Sequence, residues 1–392
     1  MQVAPAVPAA LYVHFPFCAR RCHYCDFAVS RSERPPVEEW LAVVEVELGW
    51  WFAAGGWEPG SSLDTVYVGG GTPSLLGADG MRGLRDVLAG KLDLSSVREW
   101  NAEANPVSFS AALAEAWAES GVNRVSLGVQ SFDDRVLSWL GRSHTAARAA
   151  EAVREARRGG IRRFNLDIMF GLPDTVGRDL PAELERVAAL QPPHLSLYGL
   201  SVEPGTLLAR RIARGVQPGP DPEKYADEFV RIAEYLTTAG YEHYEVSNFC
   251  LPGEESLHNQ SYWNRSACLG LGPSSHGFHP PSRCWNLRNW PAWRDSVMGG
   301  HGPLEGHEVV GAEDSRLEKV WLGLRTRNGV DSGILEASHQ ETLSRFESAG
   351  WIRRSEGRVR PTARGWLRLD SIVAELNSAG SPPAAPSGSR ET

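Results

Sequence analysis

No run of apolar residues in this chain approaches the roughly 20 needed to span a membrane as a helix. Nor is there a basic excess: 40 Lys and Arg stand against 48 Asp and Glu, a formal charge of −8. The first absence excludes a transmembrane helix, and the second removes the electrostatic basis for generic nucleic-acid binding. Residues 1–10 are too short and too uncharged to read as a secretory signal. Cysteine is scarce, six in 392 residues, which suits a reducing, cytoplasmic setting and argues against a disulfide framework. What the chain does have is length enough for one large α/β domain and a smaller one. Its few cysteines are also unevenly placed. Cys18, Cys22 and Cys25 crowd together, while Cys250, Cys268 and Cys284 are scattered.

Short apolar runs alternate with helix-period segments from Leu11 to about Phe249. The runs Leu11–Phe15, Thr65–Val68, Glu99–Ala104, Arg124–Val129, Phe164–Phe170 and His194–Leu200 read as strands. Between them Val37–Ala53, Met81–Leu88, Phe109–Glu119, Thr145–Arg157 and Leu180–Leu190 read as helices, with Pro222–Thr238 as a further one. This rhythm is that of βα units on a parallel sheet, and six units suit a partial or full (β/α) barrel better than a doubly wound sheet. Residues 11–250 are therefore assigned to a barrel. Residues 251–303, rich in Gly, Pro, Ser, Asn, His and Trp, read as irregular and functional. Residues 304–376 read as a small α+β winged-helix-like domain, and 377–392 as a disordered Ser/Pro/Ala/Gly tail.

The run His14-Phe15-Pro16-Phe17-Cys18-Ala19-Arg20-Arg21-Cys22-His23-Tyr24-Cys25-Asp26-Phe27 follows the first strand directly. Three thiols this close converge on one centre only if the loop wraps around it. A structural zinc with His14 or His23 as fourth ligand is one reading, although no second ligand pair follows at zinc-finger distance. The other is a [4Fe–4S] cluster, for which three thiolates leave one iron open. The C-x3-C-x2-C spacing at the end of the first strand resembles the signature of the radical S-adenosylmethionine (SAM) superfamily. That resemblance implies a [4Fe–4S] cluster on Cys18, Cys22 and Cys25 whose open iron binds SAM.

Later strand ends carry polar groups in order, where (β/α) barrels place their active sites. They are Gly69-Gly70-Gly71-Thr72-Pro73, which lacks the lysine of a P-loop; Glu103 in Asn101-Ala102-Glu103-Ala104-Asn105-Pro106; Gln130 in Gly128-Val129-Gln130-Ser131-Phe132, followed by Arg142; and Asp167 in Asn165-Leu166-Asp167. Acidic and amide groups suit a ribose and an amino group, and Arg142 suits a carboxylate. With the cysteine loop, these motifs resemble the oxygen-independent coproporphyrinogen III dehydrogenase family, and within it the heme-chaperone branch. The similarity runs from Leu11 to Leu376. It implies a partial (β/α)6-type radical SAM barrel with extra strands and a small C-terminal domain. It places SAM near Tyr12, Tyr24, Gly70, Gly71, Thr72, Glu103, Gln130, Arg142 and Asp167.

Two features separate the branches. The dehydrogenase carries a fourth cysteine two residues after the third, where this chain has Phe27, and a longer segment before its first strand. The run His258-Asn259-Gln260-Ser261-Tyr262-Trp263 matches the HNxxYW motif linked with heme in the chaperone branch. An imidazole is a competent axial ligand, and Tyr and Trp offer flat apolar faces. The resemblance thus implies heme as cargo bound near His258, Asn259, Tyr262 and Trp263, with apo-hemoproteins or respiratory-chain heme proteins as recipients. A homodimer and peripheral membrane association are compatible with it. The alternatives are coproporphyrinogen III decarboxylation, or another radical SAM reaction on a tetrapyrrole. A second metal site at Cys268, Cys284 and His276 fits no standard spacing, and small buried apolar cysteines are the simpler reading.

Overall fold

The computed structural model describes residues 9–335 and 339–378. The chain divides into two compact units, residues 1–243 with 247–310, and residues 244–246 with 311–392. Of the segments expected at the termini, 1–8 and 379–392 lie outside the described residues, while Ala9 and Ala10 open the first strand and Asn377 belongs to the helix Leu369–Ser378.

In the first unit eleven strands lie side by side. They are β1 (Ala9–Phe15), β2 (Leu63–Gly70), β3 (Glu99–Ala104), β4 (Arg124–Gln130), β5 (Arg163–Phe170), β6 (His194–Gly199), β7 (Asn248–Cys250), β8 (Cys268–Leu271), β9 (His276–His279), β10 (Ser282–Asn286) and β11 (Leu304–Val309). Their order is β11-β10-β9-β8-β1-β2-β3-β4-β5-β6-β7. From β8 through β1 to β6 every neighbour is parallel, and the outer strands at both ends are antiparallel. The short strand Glu242–Glu245 spans the boundary between the two units.

The six expected strands and the helices between them are present, with ends shifted by a few residues. Two helices add to them, Asp134–Leu140 and Leu207–Ala213. Side-chain caps fix several starts: Ser110, Thr145, Asp179 and Asp221 each accept a backbone N–H of the first turn. The helix Val37–Ala53 buries Trp40, Val43, Val44, Glu47, Leu48 and Trp51. This is the i, i+3, i+4 stripe of a helix packed on a sheet. Phe15 of β1 meets Trp40 edge-on at 5.2 Å, while Tyr12, one face over, stacks on Tyr67 of β2 at 6.0 Å. Alternate residues of each strand therefore feed an apolar outer layer and a polar lumen.

Residues 251–303 are not irregular. They hold the helix Leu257–Trp263, strands β8 to β10 and the helix Trp290–Met298. Strand β8 is a seventh parallel strand, paired Ala10↔Cys268 to Val13↔Leu271. It escapes a periodicity reading because it is only Cys-Leu-Gly-Leu, interrupted by a glycine the packing requires. A Cβ on Gly270 would sit 2.4 Å from the His276 carbonyl oxygen.

The floor of the lumen is ionic. Glu99, fully buried, accepts from Arg124 Nη1 (3.3 Å), Ser256 Oγ (3.1 Å) and the backbone N–H groups of Leu257 (3.2 Å) and His258 (3.1 Å). Arg163 reaches the Glu254 carboxylate at 2.9 Å. Above this layer Asn165 donates to Ser126 Oγ and Asp167 Oδ1, both at 2.7 Å, and its carbonyl accepts from His194 Nδ1 at 2.7 Å.

The second unit packs Val320, Leu324, Leu343, Phe346, Ile352, Val359, Ile372 and Leu376 into its own core. Its strands Val330–Asp331, Arg358–Pro361 and Ile352–Ser355 form a three-stranded sheet in that order, with the helices Ala312–Leu324, Gln340–Ser348 and Leu369–Ser378 around it. Arg354 and Arg360 of the hairpin are matched by Glu347 and Glu356, and Arg358 donates to the Asn328 and Gly329 carbonyls.

Candidate metal centre and ligand pocket

The cysteine loop is held at both ends. Two-residue strands Phe17–Cys18 and Ser30–Arg31 pair in parallel across its neck. His14 Nε2 donates to the Ala28 carbonyl at 3.0 Å, and its Nδ1 accepts from Tyr12 Oη at 3.0 Å. Burial keeps this imidazole neutral, its pKa down at about 4. The loop's middle is tied by Leu208 N–H to the His23 carbonyl (2.9 Å) and by Arg288 to the Asp26 carbonyl (2.6 Å). His23 Nδ1 lies 3.2 Å from the Arg211 guanidinium. Both histidines that could have completed a zinc site are thus engaged elsewhere.

The thiols themselves disfavour a single ion. Zn–S bonds of about 2.3 Å put sulfurs about 3.8 Å apart around one tetrahedral zinc. Among the described residues the one cluster whose ligand atoms all lie within 4.8 Å of one another is Glu242, Cys250 and Glu255, so Cys18, Cys22 and Cys25 are spread more widely than that. A wider thiol set around a cavity suits a multinuclear centre. Thr72 Oγ1 donates to Cys18 Sγ at 3.2 Å and Arg142 Nη1 to Cys22 Sγ at 3.4 Å, contacts that favour thiolates. Burial pushes Cys18 up to about 11 and also raises Cys25, so metal uptake must release protons.

Beside the loop, at the C-terminal ends of β2 to β6, lies a cavity of about 360 Å³. Cys18, Cys22 and Cys25 line it together with Tyr24, Gly70, Gly71, Thr72, Glu103, Gln130, Arg142 and Asp167. Of the nine residues placed near SAM on sequence grounds, Tyr12 alone stays outside the lining, one layer down behind Tyr67. Residues not anticipated include Tyr67, Ser126, Gly128, Met169 and Tyr198. Period two would have found four of them: Tyr67 stands two before Gly69, Ser126 and Gly128 alternate toward Gln130, and Met169 stands two after Asp167.

Local backbone explains how these side chains arrive. Gly70 has φ of +112°, and a Cβ there would fall 2.5 Å from the His14 ring; one on Gly71 would fall 2.5 Å from the Phe17 carbonyl oxygen. The loop is thus pressed against the strand that launches the cysteines, with Gly71 N–H bonded to the Phe15 carbonyl at 2.8 Å. Gln130 also has positive φ, +66°, after an irregularity in the β4–β5 register, and this aims its amide at the cavity.

Four carboxyls line the cavity, those of Asp26, Glu103, Asp167 and Glu203, and Glu103 and Asp167 stand half-buried on strands β3 and β5. Burial and the neighbouring Asp167 push Glu103 up to about 7, against hydrogen bonds from Tyr67 Oη (2.8 Å) and Gly70 N–H (3.1 Å). Burial raises Asp167 to about 6, offset by Asn165, Ser126 and Arg142. Arg142 gives Nη2 to the Gly128 carbonyl at 2.6 Å, but its buried Nε has no partner among the described residues. An orphaned guanidinium donor, the Glu103 and Asp167 carboxyls and a wide thiol set match the expected occupants, a [4Fe–4S] cluster and a ligand carrying both cationic and anionic ends.

The HNxxYW motif lies elsewhere. His258 is buried, with Nδ1 at 2.9 Å from Thr65 Oγ1 and Nε2 at 2.8 Å from Tyr262 Oη, and burial lowers its pKa to about 3. Tyr262 leaves part of its ring at the surface while its hydroxyl turns inward. Asn259 and Trp263 are half-buried, and none of the four lines the cavity. The residues expected near heme thus lie apart from the cavity, with both His258 nitrogens engaged. His276, Cys268 and Cys284 likewise form no close ligand group.

The radical SAM superfamily profile matches residues 12–187. The heme chaperone HemW of Mycobacterium tuberculosis (strain ATCC 25618 / H37Rv) is 36% identical over 375 residues, covering 95% of each chain. HemW of Escherichia coli (strain K12) is 37% identical over 93% of this chain and 97% of its own. The mitochondrial radical S-adenosyl methionine domain-containing protein 1 of Bos taurus is 36% identical, over 82% of this chain and 74% of its own. In structure, coproporphyrinogen III oxidase (HemN) from E. coli superimposes with a TM-score of 0.81 at 21% identity, covering 96% of this chain and 91% of that one. That likeness gives both proteins the radical SAM fold, a mixed α/β architecture on a parallel sheet. The extent and identity of the sequence matches go further: the chain belongs to the HemW family within the radical SAM superfamily.

Proposed function

We propose that this chain binds heme and passes it to heme-free target proteins, and that it holds a [4Fe–4S] cluster on Cys18, Cys22 and Cys25 with SAM in the adjoining cavity. One observation carries the reading above the others: similarity to proteins named heme chaperone extends over 95% of this chain, well beyond the span of the superfamily profile. Phe27 agrees with it. This residue lines the cavity and is 59% exposed, at the position where the dehydrogenase branch has its fourth cysteine.

When bound together, a reduced cluster and SAM supply one-electron reductive cleavage of a sulfonium. The chain's own contribution is placement. Three thiolates leave one iron for a small-molecule chelate, Arg142 Nε offers a donor to a carboxylate, and Glu103 and Asp167 receive an ammonium or hydroxyls. The cavity is at the small end of the range for a single organic ligand, about 300–1,000 Å³. Heme is left to a surface outside it. No helix among the described residues is long and apolar enough to cross a membrane. Recipients among cytoplasmic or respiratory heme proteins are part of the proposal.

Heme titration of anaerobically reconstituted protein tests this. A defined Soret band saturating at a fixed stoichiometry, followed by transfer to an apo-hemoprotein, supports it. Featureless, non-saturating absorbance sinks it. Stoichiometric protoporphyrinogen from coproporphyrinogen III, SAM and reductant would instead place the chain with the dehydrogenases.

The Glu103 and Asp167 carboxyls also set a pH dependence. A cationic ligand binds the ionised forms, so protons compete with it below pKa values of about 6 for Asp167 and about 7 for Glu103. SAM affinity is expected to rise about tenfold or more between about pH 5.5 and 7.5, with proton release on binding. Calorimetry in two buffers of different ionisation enthalpy measures both. A flat profile would remove the carboxyls from the binding site.

A further inference from the structure

His258 of the HNxxYW motif is buried beneath Tyr67, which lines the cavity, and its contacts form a continuous chain. Glu99 anchors the start of the helix Leu257–Trp263 by accepting the His258 N–H. The His258 ring lies against the Tyr67 ring, centroids 5.0 Å apart at 32°. Tyr12 stacks on Tyr67 as well, at 6.0 Å and 29°. Held between these rings, Tyr67 donates to Glu103 Oε1 at 2.8 Å, and Glu103 Oε2 accepts the Gly70 N–H at 3.1 Å. We infer that His258 is a positioning residue for the cavity: it fixes Tyr67, and through Tyr67 the Glu103 carboxylate that meets the ligand.

The choice of histidine follows from its two nitrogens. Thr65 Oγ1 and Tyr262 Oη are turned inward, 2.9 and 2.8 Å from Nδ1 and Nε2. A neutral imidazole, one nitrogen donating and the other accepting, satisfies both while presenting a flat face to Tyr67. An aliphatic replacement would take the imidazole partner from both hydroxyls, leaving Tyr262 with the Cys268 thiol, and let the Tyr67 ring tilt. The ionisable groups acting on Glu103 are Tyr67, Tyr12, Tyr262 and Asp167. Of these only the Tyr67 hydroxyl donates to the carboxylate, so its placement favours the ionised Glu103 against burial and Asp167, which act the other way.

This inference rests on the reading of the cavity as a SAM site, and its test separates the two. Cluster-loaded wild type, His258→Ala, His258→Gln and Tyr67→Phe are titrated with SAM by anaerobic calorimetry across about pH 5.5 to 7.5, and iron per chain is measured for each. The inference expects His258→Ala and Tyr67→Phe each to weaken SAM binding about tenfold, the scale of a hydrogen bond to a charged group. In both, the pH of half-maximal affinity moves up, because the ionised Glu103 has lost its donor. His258→Gln, whose amide can still reach Tyr262, recovers most of the affinity. SAM affinity within about twofold of wild type in His258→Ala, with an unmoved pH profile, overturns the inference. So does loss of heme binding in that variant with SAM binding intact, which would return His258 to a ligand role. Should His258→Ala fail to hold iron, Tyr67→Phe decides by the same two readouts. Wild type that carries iron yet takes up no SAM would instead overturn the cavity assignment itself.

Discussion

Glu99→Ala is expected to lower the stability of the first unit by about 3–5 kcal/mol, the cost of stripping one partner from a buried ion pair. Four donors converge on this carboxylate, and Glu99 and Arg124 are both shielded from water. Without it, the Arg124 guanidinium keeps only the Glu254 and Glu255 carbonyls nearby. The N–H groups of Leu257 and His258 lose their acceptor at the same stroke. Urea unfolding of the metal-free protein measures the effect. A midpoint close to that of wild type would show that the floor is a bystander to stability. Simultaneous replacement of Glu99 and Arg124 by apolar residues of similar volume should cost less than Glu99→Ala alone, since the penalty comes from the charge left behind.

Cys25→Ala is expected to reduce bound iron and sulfide to below about a tenth of wild type, and SAM binding with it, since cluster binding depends on every thiolate. The loop itself holds no fourth thiol to substitute. Phe27 occupies the position two residues on, and Cys250 and Cys268 are buried in strands β7 and β8. Because burial raises the free thiols, Cys18 to about 11, retention should also weaken on acidification as protons compete with iron. Iron and sulfide analysis of anaerobically reconstituted protein checks the substitution. Near-stoichiometric iron in Cys25→Ala would refute the ligand assignment.

Much of this was legible in the sequence because long, two-sided buried strands and capped helices carry strong patterns. Leu11, Val13 and Phe15 mark a strand packed on helices, and Val37–Ala53 is delimited to the residue. Strand β8 was not, because four residues around Gly270 are too few for a period and too glycine-rich for a propensity. Tyr12 was placed near SAM by the family resemblance, yet alternation turns it toward Tyr67 instead. The partners of His258 were not legible for a related reason: nothing in its neighbours announces that Thr65, 193 positions earlier, will take its Nδ1.

The seventh parallel strand has a consequence for synthesis. Strand β1 lies between β2 and β8, and Ala10 pairs with Cys268, so one flank of the first strand made stays open while 258 further residues are added (268 − 10). At about 5–20 residues per second this is roughly 10–50 s on the ribosome. The helix that closes the floor over Glu99 is made only shortly before. The nascent chain therefore carries an unpaired strand edge and an uncapped ionic interior through most of its translation. A pause or truncation before residue 271 would leave the cysteine loop attached to a strand with one neighbour missing.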